Sequence, residues 1–232
     1  MVPLRALVLT GAMPEDHPDQ DRLRRIGRKV RRRLAANKAV RRVEVDNAEL
    51  WSVPQFFDTV ECGRLMAMID AVAQPSEAYH MDYSTGYRTS YSGNMDSFDL
   101  FIIKLQKRLD DLLGIDHRNG ETIQGQRYLQ GQQFQSHFDW FAPGSAIWEK
   151  ERVHGGQRAF TAMAYLNPVE EGGETAFPDL GIAVAPRPGT LLIWNNAHEN
   201  GLPNPWTWHA GSPVTRGEKY IITKWYRCGR WY

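Results

Sequence analysis

The chain has 232 residues, 42% hydrophobic and 24% charged, a size and composition that suit one globular β-barrel domain with helical additions and exclude a disordered or fibrous protein. Lys and Arg number 28 against 27 Asp and Glu, and the formal charge of +1 gives no bulk call for nucleic acid or a membrane. Two cysteines, Cys62 and Cys228, are too few for a disulfide framework or a thiolate metal site, and no stretch approaches the ~20 apolar residues of a membrane span.

Taken from the N-terminus, the run Ala6-Leu7-Val8-Leu9 follows Arg5 but is too short for a signal-peptide core, and Glu15 and Asp16 come soon after. A cytoplasmic location is the default expectation. Basic residues crowd positions 22–42, while Leu23, Ile26, Val30 and Leu34 recur at the period of one helix face. The favoured reading is a solvated charged face whose apolar stripe docks on the main domain. Contact of 22–42 with nucleic acid or a ribosomal partner is the alternative. Positions 1–45 therefore read as a basic, partly helical extension of a domain covering 46–232.

Within that domain, 46–120 reads as helical support. A helix is predicted over 58–73, carrying Val60, Leu65, Met68, Ile69 and Val72 inward. A clearer one spans 97–113, with Ser97 as cap, Phe101, Leu105, Leu109 and Leu112 as the buried stripe, and Gly114 as the stop. From 121 the period becomes alternating. Strands are predicted over 122–130, 133–140, 158–166, 174–177, 182–185, 190–194 and 219–226, separated by Gly- and Pro-rich turns. Positions 92–96 and 142–154 read as surface connections. Helices followed by many short strands point to a mainly β fold, a sandwich or open barrel backed by helices.

The chemistry concentrates in His137-Phe138-Asp139 and a distant His209. Side chains two apart on a strand point the same way, so His137 and Asp139 can converge on one ion. Two imidazoles and one carboxylate are the donor set of non-haem Fe(II) oxygenases, which leave coordination positions open. Zinc accepts the same donors, so a structural or hydrolytic zinc site is a rival. Lys219 opens the last strand and alternates with Ile221, Thr223 and Trp225. An inward lysine is costly without an anion, and no carboxylate alternates beside it on this strand, so a ligand is the natural supplier. Taken singly, Tyr128 and Trp225 read as core aromatics. His17, His80, His117, His154 and His198 lack the spacing and read as structural.

His137-Phe138-Asp139, Arg158-Ala159-Phe160-Thr161, Tyr165-Leu166-Asn167, Glu170-Glu171-Gly172-Gly173-Glu174-Thr175, Phe177-Pro178, His209-Ala210-Gly211-Ser212-Pro213-Val214, Gly217-Glu218-Lys219 and Lys224-Trp225, in order and spacing, resemble the prolyl 4-hydroxylase catalytic domain of the Fe(II)/2-oxoglutarate dioxygenases. The likeness begins near Arg88-Thr89-Ser90. It implies a double-stranded β-helix (jelly roll), with Fe(II) and 2-oxoglutarate as cofactors and ascorbate as a reductant. It also implies a peptide or protein substrate hydroxylated at C4 of a prolyl residue, with release of succinate and CO2. His137, Asp139 and His209 match the iron ligands. Lys219 and Tyr128 match the residues that hold the far carboxylate of 2-oxoglutarate, with Thr175 near the co-substrate. Arg158 and Trp225 match residues on the substrate side. Asp139 stands where related halogenases carry Ala or Gly, which implies hydroxylation. Phe134 stands where relatives often carry Tyr, and 195–208 holds Pro203, Pro205, Trp206 and Trp208. Both departures bear on the substrate. The same chemistry on a free amino acid, a small metabolite or alkylated nucleic acid, and a non-catalytic sensor, are the other readings.

Overall fold

A computed structural model describes residues 17–76 and 86–232. The apolar run at 6–9 and His80 lie outside the described residues. Four helices are described: α1 (Gln20–Ala35), α2 (Thr59–Val72), α3 (Leu100–Leu113) and the short α4 (Ala146–Glu151). The strands are β1 (Arg41–Val43), β2 (Leu50–Val53), β3 (Gln74–Pro75), β4 (Tyr91–Asn94), β5 (Gln124–Tyr128), β6 (Phe134–His137), β7 (Arg158–Tyr165) and β8 (Glu171–Gly172). They continue with β9 (Thr175–Phe177), β10 (Ile182–Val184), β11 (Leu191–Asn195), β12 (His209–Gly211), β13 (Val214–Arg216) and β14 (Lys219–Arg227). An antiparallel sheet in the order β1-β2-β11-β7-β14-β5-β4-β3 faces a smaller one in the order β10-β9-β12-β6, and β8 pairs with β13. This is the expected jelly roll backed by helices. Among the described residues, no helix is long and apolar enough to cross a membrane.

The central strands of the large sheet are buried on both sides, and strand alternation separates two cores. Ala162 and Ala164 of β7, Leu191 and Ile193 of β11, and Tyr220, Ile222 and Tyr226 of β14 pack toward the helices. Met163, Tyr165, Leu192, Trp194 and Ile221 pack between the sheets. Leu23, Val30 and Leu34 of α1 join the helix-side core, so the stripe of the basic segment docks as expected and its charged side chains face outward.

Several boundaries differ from the sequence reading, each for a local reason. The α3 cap is Asp99, whose carboxylate accepts from the Phe101 and Ile102 amides, rather than Ser97. Gly114 ends α3 in the left-handed conformation, as expected. In α2 the buried face is Cys62, Leu65 and Ile69, whereas Val60 and Val72 are 80% and 39% exposed. Positions 92–96 are no free connection, because β4 pairs with β5. Gly93 lies opposite Gly125 there, and a side chain on either would collide with Val72 or Ile69 of α2. The two glycines thus let the helix lie close against the sheet. The 142–154 connection contains α4, capped by Ser145.

Candidate active site

The site lies between the sheets, where β6 and β12 pair with His137 directly opposite His209. Strand β6 ends at His137, so Asp139 comes from the bend that follows rather than from a strand running to 140. The two imidazoles are 4.3 Å apart between ring centres. Each donates from Nδ1 to a backbone carbonyl two residues back, Gln135 for His137 and Thr207 for His209, both at 2.9 Å. A carbonyl can only accept, so Nδ1 is the donor in each ring, and Nε2 is the nitrogen turned toward Asp139. Both Nε2 atoms lie 3.9 Å from an Asp139 carboxylate oxygen. The three candidate ligand atoms all fall within 4.8 Å of one another.

Electrostatics favour the ligating forms. Burial, then the neighbouring His209 and Arg88 charges, lower His137 to about 3 against the pull of Asp139, so its imidazole is neutral near pH 7. Burial pushes the Asp139 carboxyl up, but His209, His137, Arg158 and a hydrogen bond from Thr161 outweigh it and leave it ionised. That hydrogen bond, Thr161 Oγ1 to Asp139 Oδ2, is 2.6 Å long, and Asn196 Nδ2 in turn donates to Thr161 at 3.0 Å. Phe134 stacks on His137 at 3.7 Å, and Trp194 and Phe177 wall His209. Two imidazoles and a buried carboxylate on one point fit a divalent transition metal with positions left open.

The neighbouring cavity is lined by the three residues together with Tyr128, Thr175, Lys219 and Trp225. Lys219 is 1% exposed. Among the described residues it has neither ion pair nor hydrogen bond, only the rings of Tyr128 and Tyr165 at 5.0 and 5.8 Å. Burial lowers its ammonium to about 7, opposed only by the more distant Glu174. An anionic ligand in the cavity would supply the missing partner. Tyr128 donates to Gln126 Oε1 at 2.7 Å, and Gln126 Nε2 reaches Thr223 at 3.2 Å. Thr175 accepts from the Tyr165 hydroxyl at 2.7 Å. Among the described residues, the buried indole Nε1 of Trp225 has no hydrogen-bond partner.

Arg158 stands apart from the cavity lining. Its guanidinium is held by both oxygens of Glu121, at 2.6 and 2.8 Å, lies 4.1 Å from the Trp225 ring centre, and reaches the Asp139 carbonyl at 3.4 Å. Glu121 also accepts from Arg227, which bonds Glu151 of α4 at 2.6 Å. Burial alone would raise the Glu121 carboxyl, but the two arginines hold it below its ordinary range.

Sequence reasoning missed Arg88, Gln126, Thr161, Thr223 and Glu121. For three of them a signal existed: Gln126 alternates with Tyr128, Thr161 with Met163 and Tyr165, and Thr223 with Lys219, each a polar residue on a cavity-facing side.

Residues 123–227 match the profile of the 2OG-Fe(II) oxygenase superfamily. A probable prolyl 4-hydroxylase 4 from Arabidopsis thaliana is 30% identical over 196 residues, 73% of this chain and 64% of that protein. The prolyl 4-hydroxylase subunit alpha-1 of Rattus norvegicus is 32% identical over 75% of this chain and 35% of its own length. The chain thus spans less than two thirds of these curated relatives. Among solved structures, the viral collagen prolyl hydroxylase from Paramecium Bursaria Chlorella virus-1, in its 2OG complex, superposes with a TM-score of 0.58 at 27% identity, covering 82% of this chain and 96% of that one. With this site inside this fold, residues 123–227 carry the 2OG-Fe(II) oxygenase superfamily signature, and the chain is similar to the prolyl 4-hydroxylases within it.

Proposed function

We propose that this chain is an Fe(II)- and 2-oxoglutarate-dependent dioxygenase that hydroxylates a C–H bond, with C4 of a prolyl residue in a peptide or protein as the target. The observation that carries the reading is the buried Lys219 ammonium, unpaired among the described residues, beside two imidazoles and a carboxylate that meet at one point. His137, Asp139 and His209 would hold the iron, and Thr161 and Asn196 would fix the Asp139 carboxylate. Lys219 and Tyr128 would hold the far carboxylate of 2-oxoglutarate, with Thr175 beside it. Bound together, iron and 2-oxoglutarate would supply oxygen activation, the co-substrate leaving as succinate and CO2 while the second oxygen atom enters the product.

Trp225 would line the substrate side, its buried Nε1 offering a donor to a substrate carbonyl. Arg158, clamped by Glu121, would hold that wall through its stacking on Trp225. Ascorbate would serve as reductant and the cytoplasm as location. The test is succinate formation with proline-rich peptides and with free proline, reading product mass. A peptide gaining one oxygen atom supports the reading. Hydroxylation of free proline alone moves the substrate class to free amino acids, and 2-oxoglutarate binding without succinate makes the protein a sensor.

A further inference from the structure

The function proposed above does not use α1. Its apolar stripe is spent on the helix-side core, and the opposite side carries Arg25, Arg28, Lys29 and Arg32, all exposed. At 100° per residue these four lie within one face, spread along about 10 Å of helix. Among the described residues none of the four has an ion pair or hydrogen bond through its side chain, whereas their neighbours do. Arg24 pairs with Asp21 at 2.8 Å, Arg31 with Glu49, and Arg33 donates to the Asp111 carbonyl at the end of α3 at 2.7 Å. Farther along the chain, the half-buried Arg118 and Arg127 and the exposed Arg152 and Arg216 each hold a carboxylate within 3.1 Å, whereas the exposed Arg187 and Arg230 are scattered cations outside any such cluster. On β1, Arg42 adds another exposed cation opposite Trp51, whose side chain packs toward the helices, so Arg42 shares the face of the sheet on which α1 sits.

We propose that this face of α1 is a docking surface for the phosphate backbone of a nucleic-acid duplex. The chemistry of the face decides among polyanions. A protein partner needs aromatic or aliphatic anchors beside its arginines to form a desolvated centre, and the outward face of α1 offers none. An anionic membrane binds a helix firmly when apolar insertion adds to charge attraction, and the apolar side chains of α1 are buried under the helix. Single-stranded nucleic acid is gripped by stacking on aromatic rings, which the face also lacks. Phosphates need only correctly spaced cations, and binding to them alone positions a protein without reading sequence. The surface lies on the helix side of the large sheet, and the catalytic cavity lies on the other, so both can be engaged together.

The test is fluorescence anisotropy of the full chain with duplex RNA and duplex DNA of mixed sequence across a salt series. Four phosphate contacts predict a log–log salt slope of about −3 to −4, so that raising salt from about 50 to about 200 mM weakens binding about a hundredfold. The triple variant Arg25→Gln/Arg28→Gln/Arg32→Gln should bring the slope to about −1. A control with the same loss of charge, Arg152→Gln/Arg187→Gln/Arg216→Gln, should bind like the parent. A lysine triple at 25, 28 and 32 should keep the slope, which guards against a folding defect in the glutamine variant. Equal loss in both glutamine triples, no loss in either, or capture by phosphatidylserine vesicles or polyglutamate in preference to either duplex would overturn the proposal. None of these readouts depends on turnover, so failure here leaves the dioxygenase reading standing.

Discussion

Strand β14 carries two lysines five positions apart, each 1% exposed, on opposite faces of the same sheet. Lys224 faces the helices and is answered there: Gln106 of α3 accepts its proton at 2.8 Å and Asp110 lies 3.7 Å away, itself bonded by Tyr226 at 2.7 Å. Lys219 faces the cavity and is answered by nothing among the described residues. Burial lowers both ammonium groups. The difference teaches how to separate a structural charge from a functional one. A buried charge whose partner is built into the chain holds the fold, and one whose partner must arrive holds a ligand.

Asp139→Ala, which strikes the cavity side hardest, should abolish hydroxylation and weaken metal binding about a hundredfold, leaving His137 and His209 as donors, while circular dichroism shows the fold retained. A variant that still binds Fe(II) tightly would remove Asp139 from the ligand set. Lys224→Met leaves Asp110 buried with one partner fewer, and it should cost about 3 kcal/mol in urea denaturation with 2-oxoglutarate affinity unchanged. Lys219→Met should do the reverse, leaving or raising stability while calorimetry shows co-substrate affinity falling about a hundredfold, the loss expected for charge-assisted hydrogen bonds. If both variants lose stability and neither loses affinity, the contrast between the two faces fails.

A finer test uses protons. Since burial lowers Lys219 to about 7, the free protein holds it mostly neutral at pH 8, and an arriving diacid should restore its charge. Binding should then take up close to one proton near pH 8 and far fewer at pH 6, measurable by calorimetry in buffers of different ionisation enthalpy. The linkage sign in the free protein is fixed as well. Between about 7 and the ordinary 10.5 the unfolded lysine holds a proton that the native one lacks, so this group's contribution to stability rises with pH across that window. The smallest expected effect is Thr161→Val, which frees Asp139 to turn and should weaken metal affinity about tenfold.

The features legible in the sequence were those set by spacing along one strand or by a motif. His137 and Asp139, two apart, and Lys219 with Trp225, alternating on one strand, needed no tertiary knowledge, and α3 with its Gly114 stop followed from period and cap. Short strands were not legible. Leu50–Val53 is buried on both faces and shows no alternation, while Tyr91–Asn94 contains a Ser-Gly pair that reads as a turn until α2 is known to require the glycine. Also hidden was the chain Arg158–Glu121–Arg227–Glu151, because its members come from four separate segments and none carries a local signature. The resemblance matched Arg158 to a residue on the substrate side and gave no sign of the Glu121 carboxylate that holds it.

The pairing of His137 with His209 across β6 and β12 has a mechanical consequence. These residues are far apart along the chain, so an ion gripped by both would act as a removable cross-link, closing a long loop much as a disulfide does. Free metal at a hundred times its dissociation constant would add about 2.7 kcal/mol to unfolding. The melting temperature would then track iron supply, and a chelator would soften the protein without touching a single covalent bond.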